Sequence, residues 1–452
     1  MIVMKFGGTS VADCAAITRT IGIVNGKLQE RPIVVVSALS KVTDLLYRIS
    51  DQARLRDKEG AGELLGRLRT RHAELAEELI PDNPEILADA LSRVNAICDR
   101  LEHFVDAVCA LGELSDRSKA IIIGNGEYLS SNIICCAMNA RGIRTRLMDS
   151  RKMIITDNNF LKGEPQTDEI IKRVREEVSA AYTGDMDAVI TQGFVSATVE
   201  GEPTVLGRGG SDYTASLIGM SVDAKTIEIW TDVDGVKTAD PRKVENTISL
   251  DRISFEEAAE MAHFGAKVLH PMTIEPAVKK NIPIYVLNSM NPSGKGTAIL
   301  QSSFIDDGVK SVSSKSNILV INIFSTKMIN VAGLLMHVFE IFSRNNVSVD
   351  LISTSEATIS VTVDAGSQNI DKVVEELSSF AEVYVDSNKA QVSVIGKNLD
   401  NVNGILEKTF APLKEHKIYM ISQGASYVNI SFVVDRAVMD DVVALLHMNI
   451  FG

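Results

Sequence analysis

Cysteine is scarce in this sequence, and its five cysteines form no C-x-x-C motif. An odd set of this size indicates neither a disulfide framework nor a zinc knuckle. The seven histidines form no cluster with metal-ligand spacing, and the order of residues indicates no Ser-His-Asp or Cys-His arrangement. We therefore expect no protein-held metal and no serine or cysteine nucleophile.

Long apolar runs and an excess of positive charge are also missing. No apolar run approaches the length that crosses a bilayer, and the first residues lack the layout of a signal peptide. The formal net charge of −13 argues against a polyanionic partner such as nucleic acid or a membrane surface. With 452 residues, 45% of them apolar and 23% charged, the chain is expected to be a soluble, cytoplasmic protein of two or three domains.

Short apolar runs alternate with helical patterns in the first half of the chain. The runs that predict strands are residues 2–6 (IVMKF), 33–36 (IVVV), 120–123 (AIII), 188–190 (AVI) and 227–230 (IEIW). Apolar residues on consecutive positions are typical of strands that helices cover on both faces. The alternation predicts an α/β fold with a doubly wound, mostly parallel sheet. Residues 52–115 contain no strand candidate and are interpreted as a helical insertion.

The second half of the chain contains an internal repeat. Residues 330–335 (NVAGLL) correspond to residues 401–406 (NVNGIL), and each copy predicts an α+β sandwich of the ferredoxin-like type. Because such repeats commonly pair sheet edges across subunits, a homo-oligomer is expected. The predicted organisation is an α/β domain at 1–290, a linker at 291–317, a first repeat at 318–390, and a second repeat at 391–452 that could borrow a strand from about 309–315.

Three glycine-containing turns are predicted in the N-terminal domain: residues 5–10 (KFGGTS), 124–127 (GNGE) and 206–212 (LGRGGSD). Glycine lets the backbone approach a phosphate closely, and free N–H groups at a helix start favour an anion. Ligands bind at the carboxyl ends of parallel strands, so the three turns are expected to converge. One such turn is typical of any tight connection, but the three together with a lysine, an arginine and an aspartate indicate a phosphoryl site.

None of these turns matches the Walker pattern or the dinucleotide G-x-G-x-x-G pattern, so neither a P-loop NTPase nor a Rossmann dehydrogenase is supported.

Residues 230–235 (WTDVDG) predict a strand end with either a ligand contact or a surface turn. Residues 254–257 (SFEE) have the spacing of a capping box. Beyond that helix, Lys267 could contact a ligand or be a surface charge. The charge run at 67–71 (RLRTR) is interpreted as a solvated face.

Together these motifs resemble those of aspartokinases. The resemblance is carried by residues 5–10 (KFGGTS), 207–215 (GRGGSDYTA), 230–233 (WTDV) and 264–271 (FGAKVLHP), in the same order over essentially the whole chain. That family joins an amino-acid-kinase domain, a three-layer αβα fold with an open and mostly parallel sheet, to tandem ACT domains. Residues 348–356 (SVDLISTSE) and 446–451 (LHMNIF) are most similar to the monofunctional, lysine-sensitive type.

The resemblance implies ATP-dependent phosphorylation of the β-carboxylate of L-aspartate to 4-phospho-L-aspartate (EC 2.7.2.4), the first step toward lysine, methionine and threonine. It implies ATP as co-substrate, Mg²⁺ carried on the ATP phosphates, feedback inhibition by lysine, and a dimer or tetramer formed through the ACT domains. A carboxylate is already a nucleophile at neutral pH. The reaction therefore needs positioning and charge stabilisation, not a general base.

The resemblance also implies roles for individual residues. The catalytic residues are Lys5 and Asp212. The phosphate loops contain Gly7, Gly8, Thr9, Ser10, Gly209, Gly210 and Ser211. The aspartate-binding residues are Thr43, Glu127 and Arg208, and the nucleotide-binding residues are Thr231, Asp232, Lys237, Arg242 and Lys267. The effector-binding residues are Met328, Val331, Leu334, Leu335, Ser348, Val349, Asp350, Ser355 and Glu356.

Two positions depart from the lysine-sensitive pattern. Lys237 stands where those relatives have a tyrosine near the nucleotide, so a ring contact is lost. Val331 stands where a serine would help to bind the effector. We therefore expect inhibition by lysine in a weakened form.

Two other functions stay open at this point. One is another acyl-phosphate kinase of the same fold, acting on glutamate or acetylglutamate, against which Glu127 and Arg208 favour aspartate. The other is a non-catalytic amino-acid sensor, against which Lys5, Asp212 and Lys267 argue.

Overall fold

The structure is a computed structural model that describes residues 1–264, 271–325, 333–424 and 426–452, without the side chains of residues 271 and 272. The chain divides into two compact units. The first comprises Met1–Val236 with Val268–Gln301, and the second comprises Lys237–Lys267 with Ser302–Gly452. Each unit is built around its own sheet.

The strands are numbered along the chain: β1 (Ile2–Phe6), β2 (Pro32–Val36), β3 (Thr145–Met148), β4 (Ala188–Gln192), β5 (Val195–Ala197), β6 (Pro203–Val205), β7 (Ile227–Thr231), β8 (Arg252–Ser254), β9 (Ile284–Asn288), β10 (Thr297–Leu300), β11 (Gly308–Phe324), β12 (Ile352–Thr354), β13 (Thr358–Asp364), β14 (Glu382–Lys397), β15 (Met420–Ser422) and β16 (Asn429–Asp435).

The α-helices are numbered in the same way: α1 (Cys14–Asn25), α2 (Val42–Arg54), α3 (Lys58–Leu79), α4 (Pro84–Leu111), α5 (Asp116–Ile123), α6 (Asn125–Ala140), α7 (Ser150–Met153), α8 (Thr167–Thr183), α9 (Gly210–Ser221), α10 (Phe255–His263), α11 (Pro271–Lys279), α12 (Leu334–Arg344), α13 (Ile370–Ser378), α14 (Ile405–Phe410) and α15 (Met439–Phe451). None of the helices in the described part of the chain has the length and apolarity that a membrane span requires.

The first unit has the predicted α/β architecture. Its main sheet follows the order β3-β4-β2-β1-β7-β9-β10. Neighbouring strands from β3 to β9 are parallel, and β10 is antiparallel to β9. Every residue of β1, β2 and β4 is buried, as expected when a sheet is covered on both faces. The carboxyl ends of β2, β1 and β7 therefore lie side by side.

The prediction of a strand at residues 120–123 is wrong. These residues form the end of α5, and the run from α2 to α6 contains no strand among the described residues. Ser115 caps α5, because its hydroxyl accepts a hydrogen bond from the Ser118 N–H at 3.1 Å. A buried helix and a buried strand can both show consecutive apolar residues, so the pattern alone does not separate them. Gly124 therefore joins α5 to α6, and residues 125–127 form the first turn of α6 instead of following a strand.

The second unit contains one antiparallel sheet in the order β12-β13-β11-β14-β16-β15. The long strands β11 and β14 pair with each other along nearly their whole length. The second half of β11 also pairs with β13, and the second half of β14 pairs with β16. Each long strand therefore serves both ferredoxin-like repeats. Residues 309–315, proposed above as a borrowed strand, pair with residues 391–396 of β14.

The predicted linker contains regular secondary structure. The range 291–317, expected to be a linker, contains β10 and the first half of β11.

The capping box at the start of α10 is confirmed. The Ser254 hydroxyl accepts from the Glu257 N–H at 3.1 Å, and the Glu257 carboxylate accepts from the Ser254 N–H at 2.7 Å.

Candidate active site

Lys5 and Asp212 form an ion pair in the first unit. Lys5 lies on β1, Asp212 lies in the first turn of α9, and Lys5 Nζ is 2.7 Å from Asp212 Oδ1. The two side chains are only 11% and 16% exposed, so water screens the pair less than it screens a surface pair. This arrangement fixes one ammonium group at the start of a helix.

The start of α9 is better suited to an anion than the start of α1. Gly209, the N-cap residue of α9, has no side chain and adopts a left-handed φ of 72°. By contrast, the Asp13 carboxylate caps α1 and accepts from the Ala16 N–H at 2.8 Å. An acidic cap already occupies the positive end of α1. The Gly210 N–H donates to the Gly207 carbonyl at 3.0 Å, so the N–H groups of Ser211 and Asp212 are the ones at the start of α9 that suit a phosphate.

The turns after β1 and β2 approach each other closely. The Gly7 N–H donates to the Trp230 carbonyl at 3.1 Å, and the Ser40 N–H donates to the Gly8 carbonyl at 3.1 Å. A Cβ atom added at Gly8 would lie 3.1 Å from the Ala38 carbonyl oxygen. A side chain at Gly8 would therefore have to push the two turns apart.

The two predicted phosphate-loop serines make hydrogen bonds inside this cluster of turns. Ser10 is buried, and its hydroxyl lies 2.8 Å from the Ser289 hydroxyl at the end of β9. The Ser37 hydroxyl donates to the Ser211 hydroxyl at 3.0 Å. These bonds join the ends of β1, β2 and β9 and the start of α9. The half-buried Thr9 belongs to the same turn as Ser10.

Glu127 is a buried carboxylate next to these turns. It is 3% exposed, the Ala38 N–H donates to its carboxylate, and its Oε2 atom has no hydrogen-bond partner among the described residues. Burial raises the pKa of Glu127 to about 8. A Cβ atom at Gly126 would lie 2.7 Å from the Ala38 Cβ, so the glycine is needed for this close approach. A buried carboxylate oxygen without a partner is suited to an ammonium group.

The other two predicted aspartate-binding residues lie at the edges of this cluster. Thr43 is half-buried in the first turn of α2. Arg208 is exposed between Gly207 and Gly209, whose φ angles of 73° and 72° need residues without a Cβ atom. Its guanidinium group is therefore carried on a turn that only glycines form easily.

The predicted nucleotide-binding residues are divided between the units. Thr231 and Asp232 follow each other at the end of β7, and the Thr231 hydroxyl donates to the Asp232 carboxylate at 3.1 Å. Lys237 and Arg242 belong to the second unit, where Arg242 is paired with Asp240 at 2.6 Å. Lys267 lies outside the described residues.

The predicted effector residues lie in the second unit, except Met328 and Val331, which are outside the described residues. Leu334 and Leu335 begin α12, and Val349 is half-buried. The exposed members of the set are Leu335, Ser348, Ser355 and Glu356. Asp350 is different, because its carboxylate is buried and is paired with Lys315 at 2.6 Å.

The interpretation of the charge run at 67–71 as a solvated face is wrong for Arg71. Its guanidinium donates to the Ser40 carbonyl at 3.0 Å and to the Ala12 carbonyl at 3.2 Å. Arg71 on α3 therefore connects the turns after β1 and β2 through these hydrogen bonds. The signal was present in the helical periodicity, because Arg71 shares a face of α3 with the buried Leu68 and Leu75.

Known proteins share this architecture. The amino acid kinase family matches residues 1–288, and the ACT domain matches residues 321–379 and 392–450. Lysine-sensitive aspartokinase 3 of Escherichia coli (strain K12) is 33% identical over 464 residues, which cover 100% of this chain and 99% of that relative. Two solved structures of E. coli aspartokinase III are each 32% identical, with full coverage of both chains. The complex with aspartate and ADP (R-state) has a TM-score of 0.87, and the complex with lysine and aspartate (T-state) has 0.81.

The fold and these relatives thus define an ATP-using kinase with attached ACT domains. The chain belongs to the amino acid kinase family and, within it, to the aspartokinases.

Proposed function

We propose that this chain transfers the γ-phosphoryl group of ATP to the β-carboxylate of L-aspartate, giving 4-phospho-L-aspartate and ADP. The observation that carries this proposal is the Lys5–Asp212 pair at the uncapped start of α9, beside glycine turns. A terminal phosphate placed there would meet one fixed ammonium group and the first-turn N–H groups of Ser211 and Asp212. The relative crystallised with aspartate and ADP supports the same pairing of ligands.

The transfer needs charge stabilisation more than proton movement. An oxygen of the substrate carboxylate attacks the γ-phosphorus, and the bond from that phosphorus to the β–γ bridging oxygen breaks to release ADP. Lys5 stabilises charge on the transferring group, and Asp212 holds the Lys5 ammonium in place. No general base is required because the attacking carboxylate is already ionised at neutral pH.

Aspartate would be oriented by its other two charged groups. Glu127 would accept its ammonium group, which supplies the partner that Oε2 lacks. Arg208 would bind its α-carboxylate with a forked guanidinium group, and Thr43 would contact the same substrate. This recognition aims the β-carboxylate at the phosphate.

Magnesium would arrive on the ATP phosphates and neutralise part of their charge. Among the residues that the structure describes, no group of three His, Cys, Asp or Glu side chains could hold a metal ion. Asp212 in the first turn of α9 is the carboxylate that would face a metal–phosphate group.

The second unit would regulate the first. The proposal extends to inhibition by lysine through the ACT repeats, to assembly as a homo-oligomer through them, and to a place at the first step toward lysine, methionine and threonine. The relative crystallised with lysine and aspartate supports the choice of effector.

An acceptor comparison tests the activity. ADP release is measured with ATP and either L-aspartate, L-glutamate or N-acetyl-L-glutamate, and the product is trapped as a hydroxamate. We expect turnover with aspartate and a preference over both alternatives. N-acetylglutamate lacks the free ammonium group that Glu127 fits, and the extra methylene of glutamate displaces the carboxylate that must meet the phosphate. Faster turnover with N-acetylglutamate, which has no ammonium group, would contradict the proposal.

A further inference from the structure

The Asp350 carboxylate already has an ammonium partner within its own chain. Lys315 Nζ on β11 lies 2.6 Å from Asp350 Oδ2 and 3.1 Å from the carboxylate of Asp364 at the end of β13. His263 Nε2 at the end of α10 lies 3.4 Å from Asp350 Oδ1. The Asp350 side chain is 6% exposed, and its interactions with His263 and Lys315 lower its pKa despite burial. Asp350 is therefore ionised and its charge is compensated by Lys315.

The second repeat contains the same arrangement without the carboxylate. The Asp350 N–H donates to the Thr362 carbonyl in the first repeat, and the Tyr419 N–H donates to the Val433 carbonyl in the second. Thr362 and Val433 each lie two residues before the end of their strand. Tyr419 therefore takes the position of Asp350.

A lysine also follows this symmetry. Lys389 lies 2.8 Å from Asp435, the last residue of β16, just as Lys315 contacts Asp364, the last residue of β13. In the second repeat the ammonium of Lys389 lies 3.7 Å from the centre of the Tyr419 ring. Each repeat thus places a lysine ammonium at the same point, but only the first offers it a buried carboxylate that another ammonium could also use.

We propose that Lys315 is an internal competitor for the effector site, so that an incoming amino acid must displace its ammonium from Asp350 before its own ammonium can bind. This inference rests on the proposed regulation by lysine and adds the residue that sets its strength. Asp364 remains beside Lys315 after displacement, so the displaced ammonium keeps one carboxylate partner.

The expected size of the effect follows from competition. The apparent affinity for an effector is its affinity for the free site multiplied by the fraction of molecules in which the site is free. The pair is largely buried, so the cost of desolvating both charges offsets much of their attraction, and most molecules are in the paired state. A ligand ammonium that replaces Lys315 leaves the Asp350 charge compensated, so the exchange does not leave a buried charge alone. Removal of the Lys315 ammonium should therefore tighten lysine binding about fivefold or more.

The test compares L-lysine binding, by isothermal titration calorimetry, to the wild-type chain and to the Lys315→Met variant. Lys315→Gln is the second variant, because its amide still donates to Asp350 if the methionine leaves that carboxylate unpaired and the protein fails to fold. Lys389→Met is the matched control, since it removes the equivalent ammonium from the second repeat. We expect tighter binding in both Lys315 variants and unchanged binding in the Lys389 control.

An equal or weaker affinity in folded Lys315 variants overturns the inference, as does a tightening of the same size in the Lys389 control. Absence of lysine binding to every variant overturns it as well. The proposed activity is judged separately by ADP release with aspartate in the absence of lysine, so that its failure and the failure of the competition are distinguishable.

Discussion

The two units each contain a lysine–aspartate pair of nearly the same length, 2.7 Å for Lys5–Asp212 and 2.6 Å for Lys315–Asp350. The first pair lies between β1 and the first turn of α9, a helix without a side-chain cap, beside glycine turns. The second joins β11 to the segment before β12, and its aspartate is the more buried partner. The distance within an ion pair therefore says little about its role, which is set by what the two groups face.

The largest expected effect breaks the first pair. Lys5→Ala removes the ammonium that we propose stabilises the transferring phosphoryl group, and we expect kcat to fall by about 10³-fold. ADP release with saturating aspartate and ATP measures this effect. Lys389→Ala is the control, because it removes a buried lysine from the other unit and should leave kcat unchanged. A Lys5→Ala enzyme with a tenth or more of the wild-type rate would show that the pair is structural.

A smaller effect is expected at the unpaired carboxylate of the first unit. Glu127→Gln removes the charge that we propose binds the substrate ammonium, and we expect kcat/KM for aspartate to fall by about 10²-fold, mostly through KM. The thermal midpoint reports whether this variant folds like the wild type.

The same residue predicts a pH dependence. Because burial raises the pKa of Glu127 to about 8, the free enzyme carries more of the protonated form at pH 6 than at pH 8. Only the ionised form attracts an ammonium group, so kcat/KM for aspartate should rise with pH up to about 8. The Glu127→Gln profile should lack this rise, and an identical rise in both proteins would exclude Glu127 as its source.

The smallest effect is expected at the second pair. Asp350→Asn keeps the shape of the side chain but removes the charge for which Lys315 and the effector compete, and we expect lysine inhibition to weaken about tenfold. Initial rates are measured over a lysine titration at fixed aspartate. Tyr419→Phe is the control at the equivalent position of the second repeat and should keep the wild-type inhibition. Equal inhibition in wild type and Asp350→Asn would place the effector elsewhere.

The sequence predicted the parts of the site that depend on neighbours along the chain. The strand at residues 2–6 and the turn after it follow from a short run that is apolar except for Lys5 and ends in two glycines. The capping box at residues 254–257 follows from spacing alone. The strand predicted at 120–123 failed because a fully buried segment carries no periodicity that separates a helix from a strand.

What the sequence by itself determined is local or repeated: the strand and turn motifs, the two related C-terminal halves and the family resemblance. Only the tertiary structure decided which distant side chains meet, since such contacts leave no spacing to read. It placed Arg71 on the turn at Ser40 and Ser289 against Ser10. It also gave Asp350, expected to await a ligand, an ammonium partner from its own chain, Lys315. Burying a charge without a compensating group costs free energy, and the fold decides which group lies close enough to compensate it.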